Sequence, residues 1–167
     1  MPTRTYTLIE AKTITTASSG FSFLAIPQTY TDLRLLISSV NGGSIYVYPN
    51  NDNTANKSRT NLYVNSATPN GSSGGASGNT GIYVDGGSVS NYPGIVTLDL
   101  FSYSQTDKFK TLSWRWANGS SSETTNGFWV ANYNTNTAIS SLYFYPETTY
   151  TFAVGSAFRL YGIKREP

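Results

Sequence analysis

Five short stretches of the chain repeat one triplet, an aliphatic residue, a tyrosine, then a further apolar residue or glycine: Ile45-Tyr46-Val47, Leu62-Tyr63-Val64, Ile82-Tyr83-Val84, Leu142-Tyr143-Phe144 and Leu160-Tyr161-Gly162. In an extended strand successive side chains point to opposite faces. Each triplet therefore predicts a strand with its aliphatic groups on one side and its phenol on the other. The parity continues beyond the triplets. Tyr46 and Tyr48 oppose Ile45 and Val47, Tyr143 and Tyr145 oppose Leu142 and Phe144, and Thr97, Asp99 and Phe101 oppose Val96, Leu98 and Leu100. The gaps between triplets are unequal, which excludes a solenoid repeat.

No window sustains the i, i+3, i+4, i+7 spacing of an amphipathic helix. Alternation and turn residues together predict strands at about Thr3–Ile9, Lys12–Thr15, Phe21–Ile26, Asp32–Ser39, Ser44–Tyr48, Asn61–Asn65, Gly81–Val84, Gly94–Tyr103, Phe109–Ala117, Gly127–Asn132, Ile139–Tyr145 and Ala157–Lys164. Three polar stretches, Asn50–Ser58, Ser66–Gly81 and Asn118–Gly127, read as surface loops. No shift in composition divides the chain. The expectation is one domain over residues 1–167, with the short charged ends "MPTRT" and "KREP" as arms. Many short strands without helices predict an all-β fold, a two-sheet antiparallel β-sandwich of jelly-roll-like form.

Composition narrows the chemistry. The chain has no cysteine and no histidine, so a disulfide framework, a thiolate zinc site, a cysteine nucleophile and a histidine-based triad are all excluded. Eleven basic and nine acidic residues leave a net charge of +2, too small and too scattered for a nucleic-acid footprint. Lysines such as Lys108 and Lys110 read as solvated surface charge. The nine acids show no local pairing of the kind a glycosidase needs. "NNDN" at Asn50–Asn53 offers oxygen ligands but one carboxylate, and reads as a polar loop rather than a calcium site. No apolar run is long enough to span a bilayer, and the first residues lack a signal-peptide pattern. No cofactor, metal, nucleic-acid partner or membrane partner is expected, and the chain reads as made in a cytoplasm.

The aliphatic set is the expected core. Tyr46, Tyr48, Tyr63, Tyr83, Tyr143 and Tyr145 are then the expected contact face toward another subunit or a larger assembly. Tyrosine supplies large area with few rotors and is enriched at interfaces. Trp114 and Trp116 share a parity with Leu112 and are expected in the core. Trp129, in "GFWVANY", is the residue that would stack on a sugar if the chain binds carbohydrate.

Three stretches, "TYTLIEAKTIT", "GFSFLAIPQTYTDLRLLIS" and "FRLYGIK", resemble a group of small bacteriophage virion proteins, notably of phages of cyanobacteria and other aquatic bacteria. The resemblance covers roughly the first forty and last ten residues. It implies a jelly-roll-like β domain, trimeric and without enzymatic activity. The implied role is a capsid decoration (cement) protein on the outer surface of the virion, with the major capsid protein and further copies of itself as partners. The alternative is a tail-fibre or appendage module that binds a host receptor or carbohydrate.

Overall fold

A computed structural model of the chain describes residues 5–39, 44–54, 56–65, 68–72, 81–84, 94–119, 124–147 and 150–164, without the side chains at 39, 61, 63–65, 68–72, 119, 124 and 125. The described residues hold no helix. They form twelve strands in two antiparallel sheets that pack face to face as a β-sandwich. The larger sheet runs β1 (Tyr6–Thr13), β12 (Ala157–Ile163), β3 (Asp32–Ser39), β8 (Gly94–Phe101), β9 (Lys110–Gly119), β10 (Thr124–Tyr133), β5 (Lys57–Asn65) and β6 (Thr68–Ser72). The smaller runs β2 (Phe21–Phe23), β11 (Leu142–Pro146), β4 (Ile45–Pro49) and β7 (Ile82–Val84). The chain passes from one sheet to the other at nearly every step. The exceptions are the steps β5–β6, β8–β9 and β9–β10, which stay in the larger sheet; the hairpins β5–β6 and β9–β10 widen it on one side.

The pleat places the core as the alternation predicts. Leu33, Leu35 and Ile37 from β3, Val96, Leu98 and Leu100 from β8, and Phe158 and Leu160 from β12 meet Phe23, Ile45, Val47, Ile82, Val84, Leu142 and Phe144 from the smaller sheet, all buried. An aromatic cluster fastens the sheets at one end. The Phe21 ring lies 4.4 Å from that of Phe158 and 5.2 Å from that of Phe144, and Phe152 lies 5.1 Å from Phe158. Each such ring withdrawn from water contributes about 1.5–3 kcal/mol. At the other end Trp114 and Trp129, directly paired across β9 and β10, stack at 5.7 Å. Gly162, on the inner face of β12, leaves room for Tyr30. A β-carbon there would fall 2.3–2.5 Å from three atoms of that ring.

On the outer face of the larger sheet, Arg34 of β3 donates to its cross-strand partner Asp99 of β8 through Nε at 2.6 Å and Nη2 at 2.8 Å. Its Nη1 donates to the Tyr6 hydroxyl at 2.9 Å, which ties β1 into the same network. Two of the predicted strands, Thr3–Ile9 and Lys12–Thr15, are one strand, β1, interrupted by a bulge between Leu8 and Glu10. Glu10 and Lys12 share the side of their neighbours Leu160 and Phe158, yet both are exposed, because the smaller sheet does not reach over β1. An irregular edge with charges on its inner side resists pairing with a further strand.

The expected polar loops are shorter than read. β5 begins at Lys57, β6 occupies Thr68–Ser72 inside the Gly/Ser-rich segment, and the β9–β10 hairpin runs out to Gly119 and back from Thr124. Hairpins of this length are held by their ladder and by one buried face, so polar residues on the other face do not stop them.

Candidate functional site

The register of the smaller sheet gathers the scattered tyrosines into one layer. Tyr143 of β11 lies opposite Tyr48 of β4, Tyr145 opposite Tyr46, and Tyr46 opposite Tyr83 of β7. All five side chains are half-buried on the outer side of the sheet, away from Ile45, Val47, Leu142 and Phe144. Tyr145 is the hub. Its ring is nearly parallel to Tyr46 (5.0 Å, 16°) and Tyr143 (6.3 Å, 14°) and tilted against Tyr48 (5.4 Å, 30°). These separations belong to displaced rather than fully overlapping rings, so part of each face is left uncovered by its neighbour. The Tyr48 hydroxyl donates to that of Tyr145 at 3.3 Å. Burial, helped by this contact, raises the Tyr145 phenol above its ordinary range. Two glycines let the rings lie close to backbone. A β-carbon at Gly81 would stand 2.8 Å from Cζ of Tyr48, and one at Gly20 would stand 2.6 Å from Oη of Tyr143.

Beside this layer the turn after β4 builds a groove of about 330 Å³ lined by Tyr48, Tyr143, Tyr145, Asn51 and Asn53. Asn50 and Asn51 both sit in the left-handed region, at φ 54°, a conformation asparagine tolerates better than most residues. Alternate residues of the turn face opposite ways. Asn50 faces the protein: its Nδ2 donates to Ala138 O at 2.9 Å, and its Oδ1 accepts from the Ser140 amide at 2.8 Å and the Ser141 amide at 3.3 Å. Asp52 also faces inward, accepting from the Thr54 amide (2.8 Å), the Thr54 hydroxyl (2.6 Å), Asn56 Nδ2 (2.9 Å) and the Tyr133 hydroxyl (2.8 Å). Asn51 and Asn53 line the groove instead, and neither carboxamide has a partner among the described residues.

Beneath the turn lies a row of buried polar groups. Tyr133 of β10 is flanked in register by Lys57 of β5 and Lys110 of β9, and all three are at most 2 % exposed. Lys57 Nζ donates to Thr54 O at 3.0 Å and Asn56 Oδ1 at 2.9 Å, and stands 3.9 Å from the Asp52 carboxylate. Burial lowers the Lys57 amine, with Asp52 opposing. Burial alone would raise the Asp52 carboxyl. The hydrogen bonds from Thr54, Tyr133 and Asn56 outweigh it and hold the group well below the usual carboxylate range. Tyr133 is raised by burial first and by Asp52 second. Lys110, expected as a surface charge, is fully buried: its ammonium donates to the carbonyls of Gln105 (2.5 Å), Lys108 (2.9 Å) and Thr135 (3.4 Å), and so closes the loop before β9. With Asn50 and Asp52 occupied in this way, the turn presents no cage of oxygens. Among the described residues no three His, Cys, Asp or Glu side chains come together as metal ligands.

Of the residues expected at the contact face, Tyr46, Tyr48, Tyr143 and Tyr145 form the layer. Tyr83 closes it at one border, where its hydroxyl accepts from Ser44 at 2.5 Å and its ring meets Arg59 and Trp129. The side chain of Tyr63 lies outside the described residues. In its strand the expected parity is reversed. Leu62 is 60 % exposed, while Lys57, two-residue steps away from Tyr63, takes the inner face. Trp114 and Trp116 are core residues, as their parity with Leu112 predicts. Trp129 is buried too, covered by Trp114, Tyr83 and the Arg59 guanidinium at 5.0 Å, so it offers no ring face to an external sugar. Asn51 and Asn53 belong to a stretch that reads in sequence as a polar loop, with no binding role for either amide. Their signal was faint but present, two amides in alternation with Asn50 and Asp52 directly after a Tyr-x-Tyr strand.

Across from the tyrosine layer, the outer face of the larger sheet carries Leu36, Ile95, Phe128 and Leu62, all exposed, with Phe128 and Leu62 directly opposite each other. No protein-family model matches the chain, and no curated protein or solved structure matches it either.

Proposed function

We propose that the protein is a non-enzymatic virion structural protein, a decoration protein that seats on the outer capsid surface through its tyrosine layer and acts there as a homotrimer made in the host cytoplasm. The observation that carries this reading is the layer itself. Five phenols from three adjacent strands form one surface with no formal charge, already ordered by ring contacts and by Gly20 and Gly81. A surface so preorganised loses little side-chain freedom on contact, which removes one of the entropic costs of association. The strand order supports a jelly-roll reading. With the two hairpins set aside, the larger sheet reads β1-β12-β3-β8 and the smaller β2-β11-β4-β7. This is the interleaved order of eight strands folded as two Greek keys, an architecture used by capsid and lectin domains. Fold alone does not assign a role. The resemblance of both ends of the chain to phage virion proteins supports the capsid side.

The test is addition of the purified chain to shells assembled from the major capsid protein of its own virion. Uptake that saturates in proportion to the lattice, with greater resistance to bursting, is the expected result. Tyr46→Ser combined with Tyr143→Ser is expected to abolish uptake while the variant remains folded. Undiminished uptake by that variant would refute the tyrosine layer as the seat. Light scattering of the free chain is expected to give three times the 18.2 kDa chain mass.

A second reading, an appendage module that binds carbohydrate, is favoured by one specific observation: the groove beside the layer holds two carboxamides with no partner among the described residues.

A further inference from the structure

We infer that the groove between the tyrosine layer and the Asn50–Thr54 turn is a binding site for a neutral carbohydrate chain, held by the carboxamides of Asn51 and Asn53 and packed against Tyr48 and Tyr143. The inference gives the second reading above its site and ligand class, and it moves the sugar contact from Trp129 to the other side of the smaller sheet.

Three features identify the ligand class. The first is charge. Among the described residues no carboxylate, ammonium or guanidinium lines the groove; the one carboxylate of the turn, Asp52, faces inward with its oxygens occupied. A charged ligand would be desolvated there without a counter-charge, which is costly. The second is the hydrogen-bonding groups. A carboxamide carries two donors and an acceptor side by side, a set that matches the paired hydroxyls of a sugar ring, each both donor and acceptor. Asn51 and Asn53 hold these groups on a turn whose backbone is fixed by the amides of Asn50, Asn51 and Asp52 bonding to Ser141 O (2.9 Å), Tyr48 O (3.3 Å) and Pro49 O (3.0 Å). The third is the floor. Displaced tyrosine rings leave partial faces and edges for the C–H side of a sugar, and the phenol hydroxyls add polar contacts at the border.

Shape separates a glycan from a peptide strand. An extended peptide adds to a sheet by pairing with a free backbone edge. The groove lies over β11 and β4, which are the two inner strands of the smaller sheet and have both edges paired. At about 330 Å³ it stands at the small end of ligand sites, roughly 300–1,000 Å³. That suits one or a few units of a chain that runs on across the layer.

The experiment titrates the full nitrogen-labelled chain with neutral linear glucan, galactan and mannan oligosaccharides, and with a sulfated glycan as the charged counterpart. The expected result is movement of the backbone and carboxamide resonances of Asn51 and Asn53 with at least one neutral oligosaccharide and with no sulfated one. Asn51→Ala and Asn53→Ala should each weaken binding by roughly 3- to 10-fold, the value of one hydrogen bond, with an unchanged melting temperature for Asn53→Ala and one lowered by a few degrees for Asn51→Ala, whose left-handed backbone suits alanine less well. Tryptophan emission should not move, since Trp129 is buried away from the groove. The inference is overturned if no neutral oligosaccharide moves those resonances, if binding persists undiminished in the Asn51→Ala/Asn53→Ala double variant, or if the sulfated glycan binds at the same resonances. The double variant also separates this inference from the capsid reading. It keeps Tyr46 and Tyr143, so its uptake onto shells is expected to be unimpaired, and glycan binding and shell binding succeed or fail separately.

Discussion

Asp52→Asn isolates the group that holds the turn in place. The carboxylate accepts four hydrogen bonds at 2.6–2.9 Å and faces the Lys57 ammonium at 3.9 Å. In the variant the amide oxygen, placed at Oδ1, keeps both bonds from Thr54. At Oδ2 the new NH2 meets the NH2 of Asn56, donor against donor. The Tyr133 hydroxyl there turns from donor to acceptor. Lys57 keeps its two neutral acceptors but loses its anion. One charged hydrogen bond lost and a second weakened, partly screened at a side chain 19 % exposed, amounts to about 2 kcal/mol at neutral pH. With a urea slope of roughly 2 kcal/mol/M, the midpoint falls by about 1 M. The sign of the pH dependence follows from the lowered carboxyl. The folded chain holds Asp52 below its ordinary value of 3.8. As the pH falls past that value the unfolded chain takes up a proton first and stability is lost. Asp52→Asn has no such proton to take up, so the gap between wild type and variant closes as the medium is acidified below about 4. Urea titrations at a series of pH values read this directly. Parallel stability curves down to the acid limit, or a neutral-pH difference under about 0.5 kcal/mol, would show that Asp52 does not carry the turn.

Gly162→Ala drives a β-carbon into the Tyr30 ring and is expected to destabilise by about 1–3 kcal/mol; thermal melts should show that Tyr30→Ala in the same chain removes most of the added penalty. Lys110→Met leaves the carbonyls of Gln105, Lys108 and Thr135 without their shared donor and is expected to destabilise by about 3 kcal/mol or more in urea, one buried acceptor after another. Tyr133 and Tyr145 are both raised above the ordinary phenol value of 10.0, so the unfolded chain loses those protons first, and stability should fall as the pH rises past that value; an alkaline absorbance titration should show these two phenols ionising last, together with unfolding. Acrylamide should quench tryptophan emission poorly, because Trp114, Trp116 and Trp129 are at most 6 % exposed; efficient quenching would contradict the sandwich interior.

Much of the sandwich was legible because both of its faces are written in alternation. Ile45-Tyr46-Val47-Tyr48 and Leu142-Tyr143-Phe144-Tyr145 state which side is buried, and the structure obeys them. The rule failed at Leu62. There the buried side of β5 holds Lys57, whose ammonium is satisfied by Thr54 and Asn56, and no hydropathy pattern marks a lysine whose partners come from a neighbouring turn. The same blindness hid Lys110. Trp129 was ambiguous in sequence because Phe128 and Val130 flank it; its register against Trp114 decides the matter. The groove was the least legible part. It depends on which two of four polar residues in "NNDN" face inward, and that is set by Ala138, Ser140 and Tyr133, more than 80 residues away in the chain for each contact.

The bulge in β1 bears on how copies of this molecule can meet. A sheet that ended in a straight, regular strand would offer its unpaired amides to the next copy, and molecules would join side by side into open-ended ribbons. The slip between Leu8 and Glu10, with Glu10 and Lys12 turned to the inner side, spoils that template. Growth by strand pairing along this border is thereby discouraged, and ribbons that would need this edge as one of their two joints are disfavoured.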